Sequence, residues 1–135
     1  MRAAPSLQPG DSPRPREVGP ITATDIARFA GAGGDFNPLH HDEAAAHAAG
    51  FETVIAMGQF SAGLLAGLLT DWVGIENVRV FEVRFVAPVY KGDVLELLAE
   101  VTDVRGDEAS INLAVRSGAT DVVTATAKIR RFARS

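Results

Sequence analysis

The stretch that decides the fold reads Gly58-Gln59-Phe60-Ser61-Ala62-Gly63-Leu64-Leu65-Ala66-Gly67-Leu68-Leu69-Thr70. Small and apolar residues lie nearly all round a helix drawn through it, and a helix without a polar face belongs inside a domain. It is also short of the roughly 18 apolar residues that a membrane-spanning helix needs, so a buried central helix is predicted and no membrane insertion. Downstream the hydrophobic period changes to two. Ile111, Leu113 and Val115 alternate with Asn112, Ala114 and Arg116, and Val123, Ala125, Ala127 and Ile129 alternate with Thr124, Thr126, Lys128 and Arg130. Such alternation marks half-buried strands of an antiparallel sheet. Residues 78–86 and 93–104 are strand-like too. Their alternation breaks at Val80-Phe81, Phe85-Val86 and Leu97-Leu98, as bulges or two-sided burial would cause. Gly92-Asp93 and Arg105-Gly106-Asp107 read as turns. One buried helix followed by four strands predicts an α+β fold with an antiparallel sheet wrapped round the helix. A sheet of this kind leaves an edge strand open, and pairing with a second chain would close it.

Upstream, residues 16–21 read as a short strand. Thr22 with Asp25 three residues later resembles a capping arrangement, Ile26 and Phe29 share a helical face, and Gly31, Gly33 and Gly34 stop that helix. Asp42 can cap a short helix over 43–49 that Gly50 ends, and Thr53-Val54-Ile55-Ala56 is a brief extended piece. Residues 1–14, with Pro5, Pro9, Gly10 and Pro13, read as a flexible tail, leaving a single domain over 15–135. They lack the apolar run of a secretory signal. The length of 135 residues suits one domain. The formal net charge of −4 and the scattering of the 13 basic residues give nucleic-acid binding little support. Cysteine is absent, which removes disulfides, zinc–thiolate sites and cysteine nucleophiles and is compatible with a cytoplasmic enzyme.

The chemistry-bearing residues concentrate in Asp35-Phe36-Asn37-Pro38-Leu39-His40-His41-Asp42. Pro38 keeps Asn37 out of the helical region, so this is a shaped loop in which the Asp35 carboxylate and the His40 imidazole can converge on one water. The residues alone leave another reading open: Asp and Asn bonding their own backbone, and His40 satisfying a buried carbonyl. The second feature is Ala56-Met57-Gly58-Gln59 at the start of the buried helix. A helix start presents unpaired N–H groups and partial positive charge, and Gly58 lets a carbonyl approach closely. That is the geometry of an oxyanion site, or simply of a tight entry into a helix. Ser61 lacks a nucleophile-elbow context and is expected to bond back to the preceding turn. His41 and His47 read as solvated or structural. Adjacent His40 and His41 without an H-E-x-x-H pattern do not make a metal site.

The loop resembles the D-x-N-P-x-H-x-D signature of the MaoC-like, (R)-specific enoyl-thioester hydratases, which are hotdog-fold proteins. The likeness extends through Ala45, Ala46, Gly50, the Ala56-x-Gly58 entry, Leu69-Thr70-Asp71-Trp72, Val83-Arg84-Phe85 and Ala87-Pro88-Val89, covering roughly residues 18–132. It is strongest to the catalytic B-type subunits of bacterial 3-hydroxyacyl-thioester dehydratases. The resemblance implies that Asp35 and His40 hold the catalytic water, that Asn37 supports the loop, and that the Gly58 N–H polarises the thioester carbonyl. It also implies an active site near a subunit interface, in a homodimer or a heterodimer with another hotdog subunit. The substrate would be an acyl-CoA or acyl-carrier-protein thioester, and no cofactor or metal is implied. The chain departs from many relatives by carrying Met57 where they have His, and from some by carrying Gly63 where they have Ser; Gln59 and Ser61 are the polar side chains nearest to compensate. The rival readings are a hotdog thioesterase and a non-catalytic acyl-binding subunit of a heteromer, and the intact Asp35, Asn37, Pro38 and His40 set speaks against both.

Overall fold

A computed structural model describes residues 2–132; the first residue of the expected tail and the last three of the expected domain lie outside the described residues. In chain order the elements are β1 (Arg16–Val18), α1 (Ala23–Gly33), a 3-10 turn (Pro38–His40), α2 (Glu43–Ala48), β2 (Ile55–Ala56), α3 (Gly58–Val73), a second 3-10 turn (Ile75–Asn77), β3 (Val78–Phe85), β4 (Val89–Tyr90), β5 (Leu95–Arg105), β6 (Glu108–Ser117) and β7 (Thr120–Arg130). Five strands form an antiparallel sheet in the order β1-β5-β6-β7-β3, and β2 pairs with β4 in a separate two-stranded ribbon. The long helix α3 touches β3, β5, β6 and β7. This is the predicted α+β arrangement of a sheet packed around one central helix.

The period-two patterns do what they predict. Ile111, Leu113 and Val115 of β6 and Ala125, Ala127 and Ile129 of β7 all point into the core, because side chains on a strand alternate between faces. Leu97 and Leu98 stay in register with Val115 and Ala114. Leu97 is buried and Leu98 half-buried on the opposite face, so that doublet reflects two-sided burial and not a bulge. The irregularities sit elsewhere, between Val78 and Val80, between Val101 and Asp103, and between Val115 and Arg116 opposite Val122. The last of these buries both Val122 and Val123 and was not expected.

Two expectations need correcting. Helix α3 is not enclosed all round, and it runs beyond Thr70 to Val73. Leu65, Leu69 and Val73 form a fully buried stripe against the sheet, whereas Gln59 and Gly63 are exposed and Ala66 and Gly67 only half-buried. The sheet covers one side of a helix, and the opposite side carries small residues that this chain leaves open. Helix α1 ends within the glycine cluster expected to stop it, at Gly33 with Gly34 as the cap, whose left-handed φ of 70° is one that glycine adopts without strain. Its start is the predicted one: Asp25 N–H donates to Thr22 Oγ1 at 3.0 Å and Thr22 N–H to Asp25 Oδ2 at 2.9 Å. The Thr22 backbone N–H, chiefly, holds the Asp25 carboxyl below its ordinary range.

The N-terminal residues, expected as a flexible tail, lie along the domain. Leu7 is buried in the core. Gly10 N–H donates to Val101 O and Val101 N–H to Asp11 O, both at 2.8 Å, which extends the pairing of β1 along β5. Asn77, wholly buried, donates to Ala3 O and Val73 O and accepts from Arg130. One apolar side chain and a few backbone bonds supply what the proline-rich composition conceals.

Strand β3 delivers Phe85 to the start of α3. A Cβ placed on Gly58 would come within 2.7 Å of Phe85 Cδ1 and Cε1, so a side chain here would oblige the half-exposed Phe85 ring to shift. Gly58→Ala gains roughly 0.5–1 kcal/mol of helix propensity but meets an overpacking cost of about 1–3 kcal/mol. It is therefore expected to lower the melting temperature in the native background and to raise it in a Phe85→Ala background. A thermal-denaturation double-mutant cycle checks this, and an equal Gly58→Ala effect in both backgrounds would show that the ring is not the constraint.

Candidate active site

Each residue of the 35–42 loop is held by a local bond that its type explains. Gly34 in the left-handed conformation turns the chain out of α1, and Asp35 N–H returns to Ala30 O at 2.9 Å, so Asp35 leaves a finished helix end in a defined direction. Asn37 N–H donates to Asp35 Oδ1 at 3.3 Å, and Asn37 Oδ1 accepts from Leu39 N–H at 3.1 Å. Pro38 opens the 3-10 turn that follows, where its missing N–H is not needed. Asp42 then accepts from Ala44 and Ala45 N–H and starts α2. Asn37 and Pro38 thus shape the loop from its exposed side.

That scaffold brings Asp35 and His40 together. His40 Nε2 lies 3.2 Å from Asp35 Oδ2, and His40 Nδ1 lies 2.7 Å from the carbonyl oxygen of Ile55. The histidine is 8% exposed and the aspartate side chain 44%, so the imidazole reaches open space through the carboxyl. Both readings of His40 hold at once: one ring nitrogen satisfies a buried carbonyl and the other faces the acid. His41 is exposed, and His47 bonds Glu52 O on the surface. Among the described residues no cluster of three His, Asp or Glu is arranged to hold a metal ion, and no helix is long and apolar enough to cross a membrane.

Asp35 opens into a cleft of about 500 Å³ that Gly58, Gln59 and Ser61 of α3 also line, together with Phe85 and Val122. A volume of this order suits a small ligand. The start of α3 receives no side-chain cap, in contrast to α1 and α2. Gln59 stands exposed at the cleft edge. Ser61 does not make the expected back-bond: it is 1% exposed and its Oγ has no hydrogen-bond partner among the described residues. Beside Gly58 the space over Cα holds the Phe85 ring, so a ligand must approach this turn from the N–H side.

The other wall owes its shape to the unexpected bulge. Val86 N–H and Ala87 N–H both donate to Val122 O, at 3.0 and 3.2 Å, which turns the chain after β3 across the cleft mouth. The Val122-Val123 doublet was the signal that could have revealed it, because two adjacent apolar residues break a period of two. On the far side of α2, Lys91 and Thr53 both donate to Glu43. Lys91, then Thr53, hold that carboxyl below its ordinary range, and the pair ties α2 to the β2–β4 ribbon.

Comparison with known proteins agrees with this fold. The family model described as "MaoC like domain" matches residues 5–123. The chain is 36% identical over 96 residues to an (R)-specific enoyl-CoA hydratase of Aeromonas caviae, covering 70% of this chain and 72% of that one. It is 34% identical over 105 residues to a 3-hydroxybutyryl-CoA dehydratase of Methylorubrum extorquens, covering 76% and 67%. By name, both relatives are hydro-lyases. In structure it superposes on a chain of the ChsH1-ChsH2 complex from Mycobacterium tuberculosis with a TM-score of 0.83 and 26% identity, over 93% of this chain and 98% of that one. The central helix on its antiparallel sheet, the Asp35–His40 loop beside the helix start and these matches lead to one conclusion: the chain belongs to the MaoC-like dehydratase family of hotdog-fold proteins.

Proposed function

We propose that this chain is a hydro-lyase that hydrates trans-2-enoyl thioesters and, in reverse, dehydrates (R)-3-hydroxyacyl thioesters, with Asp35 and His40 as its acid–base pair. One observation carries the reading. His40 Nδ1 faces a carbonyl oxygen at 2.7 Å; a carbonyl only accepts, so Nδ1 bears the hydrogen. In a neutral imidazole Nε2 is then a bare acceptor. The Asp35 carboxylate is an acceptor as well, yet the two atoms meet at 3.2 Å. A hydrogen bond there requires one proton shared between them. The pair can give one proton and take one, which is what adding water to a double bond demands.

The steps balance. The thioester carbonyl binds at the start of α3, where the Gly58 N–H and the helix dipole favour negative charge on oxygen. Carbon 3 becomes electrophilic. Water attacks it as the pair accepts one of the water's protons, and the shared proton passes to carbon 2. The product is the 3-hydroxyacyl thioester, and the pair ends with the proton count it began with. Nothing is oxidised or reduced, so the reaction as written needs no redox cofactor. The names of the relatives support the substrate class, an acyl-CoA or acyl-carrier-protein thioester.

We further propose that the active form pairs two hotdog chains, either two copies of this one or this one with another subunit. Strand β3 has a neighbour on one side only. Along and just beyond that edge Val80, Phe85 and Val86 are 42%, 52% and 53% exposed, and the small-residue side of α3 is left open by this chain. The similar ChsH1-ChsH2 structure is itself a complex of two different chains.

Two measurements test these statements. With crotonyl-CoA, the ultraviolet absorbance of the conjugated thioester is expected to fall on adding enzyme, and Asp35→Asn and His40→Ala each to lower kcat/KM by roughly 10²–10⁴-fold; near-normal rates in both variants would remove the pair from the mechanism. Light scattering after gel filtration is expected to give a dimer mass that Val80→Lys shifts toward the monomer. A monomer mass for the active unmodified protein would discard edge pairing.

A further inference from the structure

Among the described residues two buried side-chain atoms lack a hydrogen-bond partner, Ser61 Oγ and Arg131 Nε, and Ser61 is the one that lines the cleft beside Asp35. Ser61 is 1% exposed and its Oγ meets no hydrogen-bond partner among the described residues. Buried polar groups in native proteins are nearly always paired, so one that is not calls for an explanation. A serine inside a helix commonly bonds the carbonyl four residues earlier. Here that carbonyl belongs to Met57; it accepts Phe60 N–H at 3.0 Å, and Ser61 Oγ makes no bond to it. Replacing the hydroxyl by hydrogen, as alanine does, would relieve the unpaired donor at no loss of helix propensity, so stability does not account for a serine.

Its position suggests what does. Ser61 is three residues after Gly58, and residues at this spacing share a helix face. Helical side chains lean back over the turn that precedes their own Cα, which for Ser61 is the turn that starts at Gly58. Both residues line the same cleft as Asp35. Asp35 already has partners for both carboxyl oxygens, in Asn37 N–H and His40, and it makes no bond to Ser61. An acceptor arriving at the Gly58 N–H is the group left for this hydroxyl to meet.

We infer that Ser61 Oγ–H is a second hydrogen-bond donor to the carbonyl oxygen of the acyl thioester, acting with the Gly58 N–H one turn away. The inference rests on the hydratase reading above. A donor aimed at oxygen that gains charge in the transition state acts on kcat more than on KM. In such sites one donor is worth about 10²-fold in rate.

The test compares unmodified protein with Ser61→Ala in three readouts: crotonyl-CoA hydration kinetics, melting temperature, and the red shift of the absorbance of 2,4-hexadienoyl-CoA on binding, which reports polarisation of the thioester carbonyl. Ser61→Ala is expected to lower kcat by about 10²-fold with KM little changed, to shrink the red shift, and to leave the melting temperature equal or higher. An active unmodified protein whose Ser61→Ala variant keeps its kcat and its red shift overturns the inference alone. A fall in melting temperature that accounts for the lost activity also overturns it, by making the hydroxyl structural. An unmodified protein that does not hydrate crotonyl-CoA, yet is folded and dimeric, overturns the hydratase reading and this inference with it.

Discussion

The Nδ1–H of His40 donates to the carbonyl of Ile55, and that single bond ties the two halves of the site together. On one side lies the 35–42 loop, shaped by the end of α1 and the cap of α2. On the other lies β2, which runs directly into the start of α3. The loop is also held by the end of α1 and the cap of α2, but this bond is the one that joins the imidazole itself to β2. With it, the imidazole is oriented, its tautomer is set, and Nε2 is presented to Asp35. A hydrogen bond serving a part-buried carbonyl thus also fixes the imidazole that faces Asp35.

The surrounding packing serves the same end. The fully buried stripe of Leu65, Leu69 and Val73 seats α3 on the sheet, so the position of its first turn follows from core packing. Phe85 closes over Gly58, where a side chain would oblige the ring to shift, while the bulge at Val122 bends the following segment across the cleft. Bulges re-aim strands near functional sites because an extra residue on one strand turns the chain without ending the pairing. The cleft is built from elements far apart in sequence and meets only where these constraints coincide.

The polar groups divide into those that hold the fold and those left for a ligand. Thr22 and Asp42 cap their helices, Asn37 satisfies the loop, and Asn77 joins the N-terminal segment to the end of α3. The start of α3, by contrast, has no capping side chain, and the hydroxyl of Ser61 behind it has no partner. The uncapped helix start and the unpartnered Ser61 hydroxyl lie beside the same open cleft. The exposed side of α3 and the outer edge of β3 form a second unfinished surface, apolar where the first is polar, and suited to another chain.

Sequence alone determined the local parts of this protein. The strands follow from alternation in 108–117 and 120–130, the capping box from the Thr22–Asp25 spacing, and the shaped loop from Asn37-Pro38. The likeness of residues 35–42 to a known signature drew attention to the loop. These are legible because each depends on residues a few positions apart. The anchoring of Leu7, the Phe85 ring over Gly58 and the unpaired hydroxyl of Ser61 were not legible. Each depends on what stands opposite a residue after the chain has closed on itself, and pairing across tens of residues leaves no period and no spacing in the sequence to be read.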